Sequence, residues 1–126
     1  MDINRGDGLM YVIIYIFRVP KRNVDAVLRV DREANAIYKH YGALDSQTYI
    51  AANLEAKYGC ATFGDVLDVA EDEVILVGIN CFRDRAHHNE VMAKVDSDER
   101  INELYTEVIK LFDIGRTVRG EFEHVL

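Results

Sequence analysis

Two stretches decide the fold: Leu9–Phe17, which reads LMYVIIYIF, and Val74–Ile79, which reads VILVGI. Both are apolar at consecutive positions and rich in β-branched residues. A strand of that kind has to be buried on both faces. The strand segments near Leu44–Ile50 and Thr117–Leu126 instead alternate apolar and polar residues, as half-exposed edge strands do. The first pair is therefore central in its sheet and the second pair lies at the edges.

Working outward, the first strand is expected over about Leu9–Val19 and is stopped by Pro20, which has no N–H to give to a ladder. Asn23 is a candidate cap for a helix running to about Tyr41. Val27, Val30, Ala34, Ile37, Tyr38 and Tyr41 fall on one stripe of it, and Gly42 is placed to end it. Strand two spans about Ala43–Asn53. The stretch Leu54–Glu73 is irregular, a long connection with room for a short strand or turn. Strand three covers Glu73–Phe82. Asp84 caps a second helix, Arg85–Val95, and Ser97 or Asp98 a further one, Glu99–Phe112. Gly115 ends that segment, and the last strand follows over Arg116–Leu126.

The order is β-α-β-β-α-β with an extra helix before the final strand. That is the α+β, ferredoxin-like arrangement with an antiparallel sheet, in which strands one and three are central. The apolar runs fall on those two strands, so two independent signals agree. Helices cover one sheet face only. The other face still carries half of the apolar side chains of strands one and three, and an exposed patch of that kind marks an interface. The expected cover is a second copy of the chain, sheet against sheet, in a twofold dimer of the dimeric α/β-barrel type.

At 126 residues the chain is long enough for one domain with its own core. We divide it into a flexible N-terminal arm, residues 1–9, and a single domain, residues 10–126. Its formal net charge is −7, spread unevenly: residues 1–42 hold seven basic and five acidic side chains, the remainder eight and seventeen. Overall acidity argues against nucleic acid as a partner, because phosphate binding rests on clustered Lys and Arg. It equally disfavours an anionic membrane surface. The Leu9–Phe17 run is shorter than the roughly 20 residues of a spanning helix. Cys60 and Cys81 have no metal or redox spacing, which suits a reduced, cytoplasmic setting.

Candidate chemistry is sparse. His88 shares the apolar stripe of the second helix and lies one turn beyond Asp84. An imidazole beside a carboxylate is a base with its orienting group, so His88 and Asp84 are the catalytic candidates. The competing reading makes Asp84 a cap and His88 a packing residue. Tyr15, Tyr38, Tyr49 and Tyr105, with His87, are candidates to line a ligand pocket, His87 from a solvent-facing position. Tyrosines with an apolar body and a polar tip suit aromatic ligands. His40, His87, His88 and His124 are scattered over separate elements, so neither a metal site nor a cofactor is expected.

Several segments resemble a known family. Tyr11-Val12, Val19-Pro20-Lys21 and Gly42-Ala43-Leu44 are similar to the opening of the YbaA-like family of small bacterial proteins of unknown function. Asp72-Glu73-Val74, Arg85-Ala86-His87 and Ala93-Lys94-Val95 look like its third strand and second helix, and Phe112-Asp113 with Gly120 and Phe122 like its closing segment. Where that family carries an aromatic in strand three, this chain has Gly78-Ile79. The resemblance implies membership of the dimeric α/β-barrel superfamily, which includes cofactor-independent monooxygenases, isomerases, haem-degrading enzymes and proteins with no known activity, so fold alone does not choose a function.

The expectation is therefore a homodimer that binds a small molecule or serves as an accessory protein. The alternative is a cofactor-independent monooxygenase or isomerase acting on a small aromatic or enolic substrate, with His88 and Asp84 handling a proton. A scaffold for a partner protein is a third reading that no residue favours.

Overall fold

The structure, a computed structural model, describes residues 10–126. The expected N-terminal arm lies outside the described residues. Eight elements follow in order: β1 (Tyr11–Pro20), α1 (Val24–His40), β2 (Asp45–Ile50), α2 (Phe63–Val66), β3 (Glu73–Phe82), α3 (Arg85–Asp96), α4 (Glu99–Val108) and β4 (Val118–Glu123). The sheet order is β2-β3-β1-β4, antiparallel throughout. β1 and β3 are central, as their unbroken apolar runs require.

The register sorts side chains cleanly. Tyr11 pairs with Phe82, Ile13 with Asn80, Tyr15 with Gly78 and Phe17 with Leu76. These point towards the helices. The alternate residues Val12, Ile14 and Ile16 of β1, with Val77, Ile79 and Cys81 of β3, point the other way. Tyr49, Val118 and Phe122 extend that second face over the edge strands, and all three are exposed. No helix covers it. Only its far end is crossed by the connection between β2 and β3, where Arg18 donates to the Leu67 carbonyl oxygen.

The helix-facing core is in two parts. Tyr11, Ile13, Ala43, Phe82, Val91 and Val95 form one cluster; Phe17, Val19, Val27, Leu76 and Phe112 form the other. Tyr15 touches both. Opposite it stands Gly78, which has no side chain to fill the space between them.

Local signals behave mostly as read. Gly42 follows α1 at φ +118, a region that L side chains rarely adopt. Asp84 and Asp98 cap α3 and α4 by accepting from the backbone N–H groups of His87 and Ile101, each at 2.8 Å. Two expectations are corrected. Asn23 stands at the N-cap position of α1, but its side chain makes no capping bond. A tight turn over Lys21–Asn23 enters the helix, and the Asn23 side chain donates to the Leu111 carbonyl oxygen at 2.8 Å. α4 stops at Val108 rather than Phe112, which frees Phe112 to stack on Phe17 with ring centroids 5.2 Å apart. The irregular connection holds one helical turn, α2, capped by the Thr62 side chain.

Candidate functional site

A cavity of about 260 Å³ lies between the two core clusters. Its floor is the sheet, at Tyr15, Phe17, Thr48, Gly78 and Asn80. α1 and α4 wall it, and Phe112, Ile114 and Thr117 close one end. Most of the lining is apolar or aromatic. The polar groups are concentrated where α1 crosses β2 and β3.

That crossing is a hydrogen-bonded chain. Ser46 Oγ lies 2.8 Å from Asn35 Oδ1 and 2.6 Å from Asn80 Oδ1. A hydroxyl has one proton, so it donates to only one of them. Asn35 also donates through Nδ2 to Thr48 Oγ1 at 3.2 Å, which fixes its carbonyl oxygen towards Ser46. The Asn80 amide is then the group that turns over and presents its NH₂ to Ser46. Thr48 in turn donates to Asp31 Oδ2 at 3.1 Å. Every proton points the same way: Asn80 to Ser46, Ser46 to Asn35, Asn35 to Thr48, and Thr48 to the Asp31 carboxylate.

Burial pushes the Asp31 carboxyl up from its ordinary 3.8, and the Thr48 bond opposes that only in part. Burial likewise pushes the Tyr38 phenol up. For a carboxyl whose folded value is raised, the folded state holds the proton more tightly. Stability therefore falls as pH rises through the interval between the unfolded and folded values. Asp31→Asn keeps an acceptor for Thr48 and removes the charge. It is expected to be more stable than the parent at about pH 7, with the margin closing towards about pH 4. Urea unfolding at the two pH values checks this, and a margin that does not change with pH rejects it.

On the other side of Tyr15, Arg119 Nε donates to the Tyr15 hydroxyl at 3.2 Å and Arg119 Nη2 donates to Glu121 at 2.7 Å. The Tyr15 oxygen is thus occupied as an acceptor and its own proton stays free to donate. Tyr11 donates to Glu121 as well. Those two donors hold the Glu121 carboxyl below the usual carboxylate range, Tyr11 more than Arg119.

Of the residues singled out from the sequence, Tyr15, Tyr38 and Tyr105 line this cavity. Tyr49 does not: it lies on the opposite sheet face, because its partner is Val77. His87 is buried rather than facing solvent. Its Nδ1 accepts from the Arg83 backbone N–H at 3.0 Å, and its ring meets Phe82 edge-on at 5.9 Å. His88 is also buried, away from the cavity, between Tyr11 and Phe82 at 5.3 and 5.0 Å. Its Nδ1 sits 2.9 Å from Asn89 Oδ1, and its Nε2 has no partner among the described residues. The Asp84 carboxylate is taken up in capping α3, so the structure does not bring His88 and Asp84 together as base and orienter. Replacing a buried polar atom that has no partner by an apolar group of similar size is close to neutral. His88→Leu is accordingly expected to leave Tm within a few degrees of the parent and ligand uptake unchanged; loss of uptake with an intact melt would restore His88 to the site.

Asp31 and Asn35 escaped the sequence reading, although a signal was present. They stand four and eight residues after Val27, on the stripe that carries Ala34 and Tyr38. Polar residues inside a stripe that must be buried are the mark of a site. Asn80 interrupts the inward side of β3 in the same way.

A second space of about 370 Å³ between α1 and α4 is rimmed by charged side chains. Arg100 there is paired with Glu33 at 2.8 Å and with Glu103 at 3.0 Å. Among the described residues, no three His, Cys, Asp or Glu side chains gather as a metal site, and no helix is long and apolar enough to cross a membrane.

Residues 10–113 match the model of a family described as a protein of unknown function, DUF1428. No curated protein matches. Among solved structures, the chain is similar to a NIPSNAP family protein of unknown function from Agrobacterium tumefaciens, at 16% identity and a TM-score of 0.55, covering 92% of this chain and 88% of that one. It is similar to a dimeric ferredoxin-like protein from an uncultured marine organism, at 11% identity and a TM-score of 0.58, covering 94% and 96%. It is also similar to SnoaB, a cofactor-independent oxygenase from Streptomyces nogalater, at 9% identity and a TM-score of 0.53, covering 93% and 94%. At such identities the likeness is one of fold.

Proposed function

Since the chain belongs to the DUF1428 family, whose function is unknown, we propose from its own geometry that it is a homodimeric domain binding a small molecule between its sheet and helices. The observation that carries this reading is the cavity itself. It is concave, mostly apolar, lined by three tyrosines and equipped with a few convergent polar groups, as small-molecule sites are. Within the family, the segments quoted above favour a YbaA-like member.

The dimer is supported by the helix-free sheet face. Val12, Ile14, Ile16, Val77 and Ile79 lie side by side there, a patch that needs cover. The similarity to a protein described as dimeric and ferredoxin-like points the same way. Cys60 and Cys81 are both free thiols, which favours a reducing, cytoplasmic compartment.

A second reading, a cofactor-independent oxygenase or isomerase of an aromatic or enolic substrate, is favoured by one observation: a half-buried carboxylate, Asp31, and a tyrosine whose hydroxyl is bonded to Arg119 line the same cavity. In that reading they take the place of His88 and Asp84 in handling a proton.

Native mass spectrometry of the freshly purified protein tests the proposal. The expected spectrum is twice the 14.4 kDa chain mass with a reproducible small adduct. A monomer at micromolar concentration rejects the assembly. A bare dimer that also takes up no added naphthol rejects the binding function.

A further inference from the structure

We propose that the cavity selects its ligand by a hydrogen-bond donor: it takes a compact, apolar-bodied molecule that carries an O–H or N–H group and no negative charge, and holds that group on Asp31. The inference rests on the cavity being the binding site and names the class of molecule that the site accepts.

Three observations carry it. First, the residues lining the cavity include two carboxylates, Asp31 and Asp96, and no Lys, Arg or His. A carboxylate or phosphate ligand would meet negative charge with nothing to neutralise it in a partly desolvated space, which is costly. Arg119, bonded to the Tyr15 hydroxyl, does not line the cavity and is already paired with Glu121.

Second, the hydrogen-bonded chain runs one way and ends on Asp31. Thr48 fills Oδ2; Oδ1 has no partner among the described residues, yet it is not sealed from solvent, because the fully buried atoms without a partner are only His88 Nε2 and Thr117 Oγ1. An ionised carboxylate accepts and does not donate. Its free oxygen therefore calls for a donor, and the chain behind it holds the carboxyl plane in place. Thr48, Asn35, Ser46 and Asn80 are positioning residues in this scheme.

Third, apart from Asn102 and Thr117 the rest of the lining is apolar or aromatic, with Phe17, Leu104, Phe112 and the Tyr15 and Tyr38 rings its largest surfaces. They give a body of one or two fused rings a surface to pack on, and about 260 Å³ leaves room for little more. Neutral hydroxyls and ammonium groups share the donor chemistry that Asp31 asks for.

The test uses one ring system with four substituents: naphthol, naphthylmethylamine as its ammonium, naphthoate and methylnaphthalene. Affinities are measured by calorimetry with the intact protein. A hydrogen bond to a charged group corresponds to about tenfold or more in affinity. Naphthol or the ammonium is thus expected to bind at least about tenfold more tightly than methylnaphthalene or naphthoate. Whichever of the two leads assigns the donor as hydroxyl or ammonium.

Asp31→Asn, its folding confirmed by a cooperative melt, should reduce that preference to less than about threefold. Thr48→Val keeps shape and removes the hydroxyl. It should lower the affinity for the donor ligand by more than it changes the affinity for methylnaphthalene, which a general loss of structure would not do. Binding of naphthol and of the ammonium no tighter than that of methylnaphthalene, insensitive to Asp31→Asn, overturns the inference and leaves the binding function standing. Tightest binding of naphthoate overturns it as well. If none of the four binds, the binding function itself falls.

Discussion

Ile79→Arg is expected to halve the mass of the protein in solution, from the proposed dimer to the 14.4 kDa chain. Ile79 lies on the helix-free face of the central strand β3, directly opposite Ile14 of β1. In a twofold sheet-to-sheet dimer each interface receives the substitution twice. Two guanidinium groups are then driven into a largely apolar layer, where the Asp45 carboxylate, beside Cys81 on the edge strand, already accepts from Gln47. One uncompensated buried charge costs about 3–5 kcal/mol, and two of the same sign add repulsion. The fold of the single chain is spared, because in the monomer this face is open to water and an arginine there stays hydrated. Light scattering reads the result, with Tyr58→Arg as the control, since Tyr58 is 97% exposed on the irregular connection. A variant that remains dimeric would place the contact on another surface.

Phe82→Ala is the second large effect, and it falls on the fold. Phe82 ends β3, has 0% exposure, and packs among Tyr11, His87 and His88 in the first core cluster. Truncating a buried phenylalanine removes its transfer free energy and leaves a hole, together about 3–5 kcal/mol. Small domains are stable by about 5–15 kcal/mol, so a large part of the total is lost. Tm should fall by about 10 °C or more, with an unchanged denaturant slope if unfolding stays two-state. A loss under about 1 kcal/mol would mean that the two histidine rings collapse into the vacated space, contrary to the close packing expected of such a core. The second cluster, around Phe17 and Phe112, should keep its structure in this variant.

The strand order was legible because it depends on one property, the burial of both faces of β1 and β3, and the apolar runs record that directly. The edge strands announced themselves by alternation for the same reason. The caps at Asp84 and Asp98 were legible because a cap is local and involves residues three apart. The site was not. Asp31, Asn35, Ser46, Thr48 and Asn80 come from three elements, and their association depends on where α1 crosses the sheet, which no local pattern encodes. His87 shows the opposite failure. Its neighbours Ala86 and Asn89 are exposed, and the helical pattern alone does not reveal that Phe82 and the Arg83 N–H draw its ring inward. Tyr49 was misplaced by chemistry: a tyrosine fits a pocket wall and an interface equally well, and only the register with Val77 decides between them.

Gly78 has a consequence for how such a protein changes over generations. It stands in the middle of the sheet, facing the helices, where an aromatic would fill the gap between the two halves of the core. A methyl group built there would meet Phe17 at 3.7 Å, an ordinary contact, and the backbone is not in the left-handed region. Alanine would therefore fit, and in a strand it would be preferred over glycine by roughly 0.5–1 kcal/mol. Gly78 is thus one position at which the size of the void can be changed by a single substitution. Shrinking or closing it from there needs no loop rearrangement and no change in strand pairing. A lineage built on this sheet can narrow or fill its interior one substitution at a time, while the helix-free outer face is left untouched.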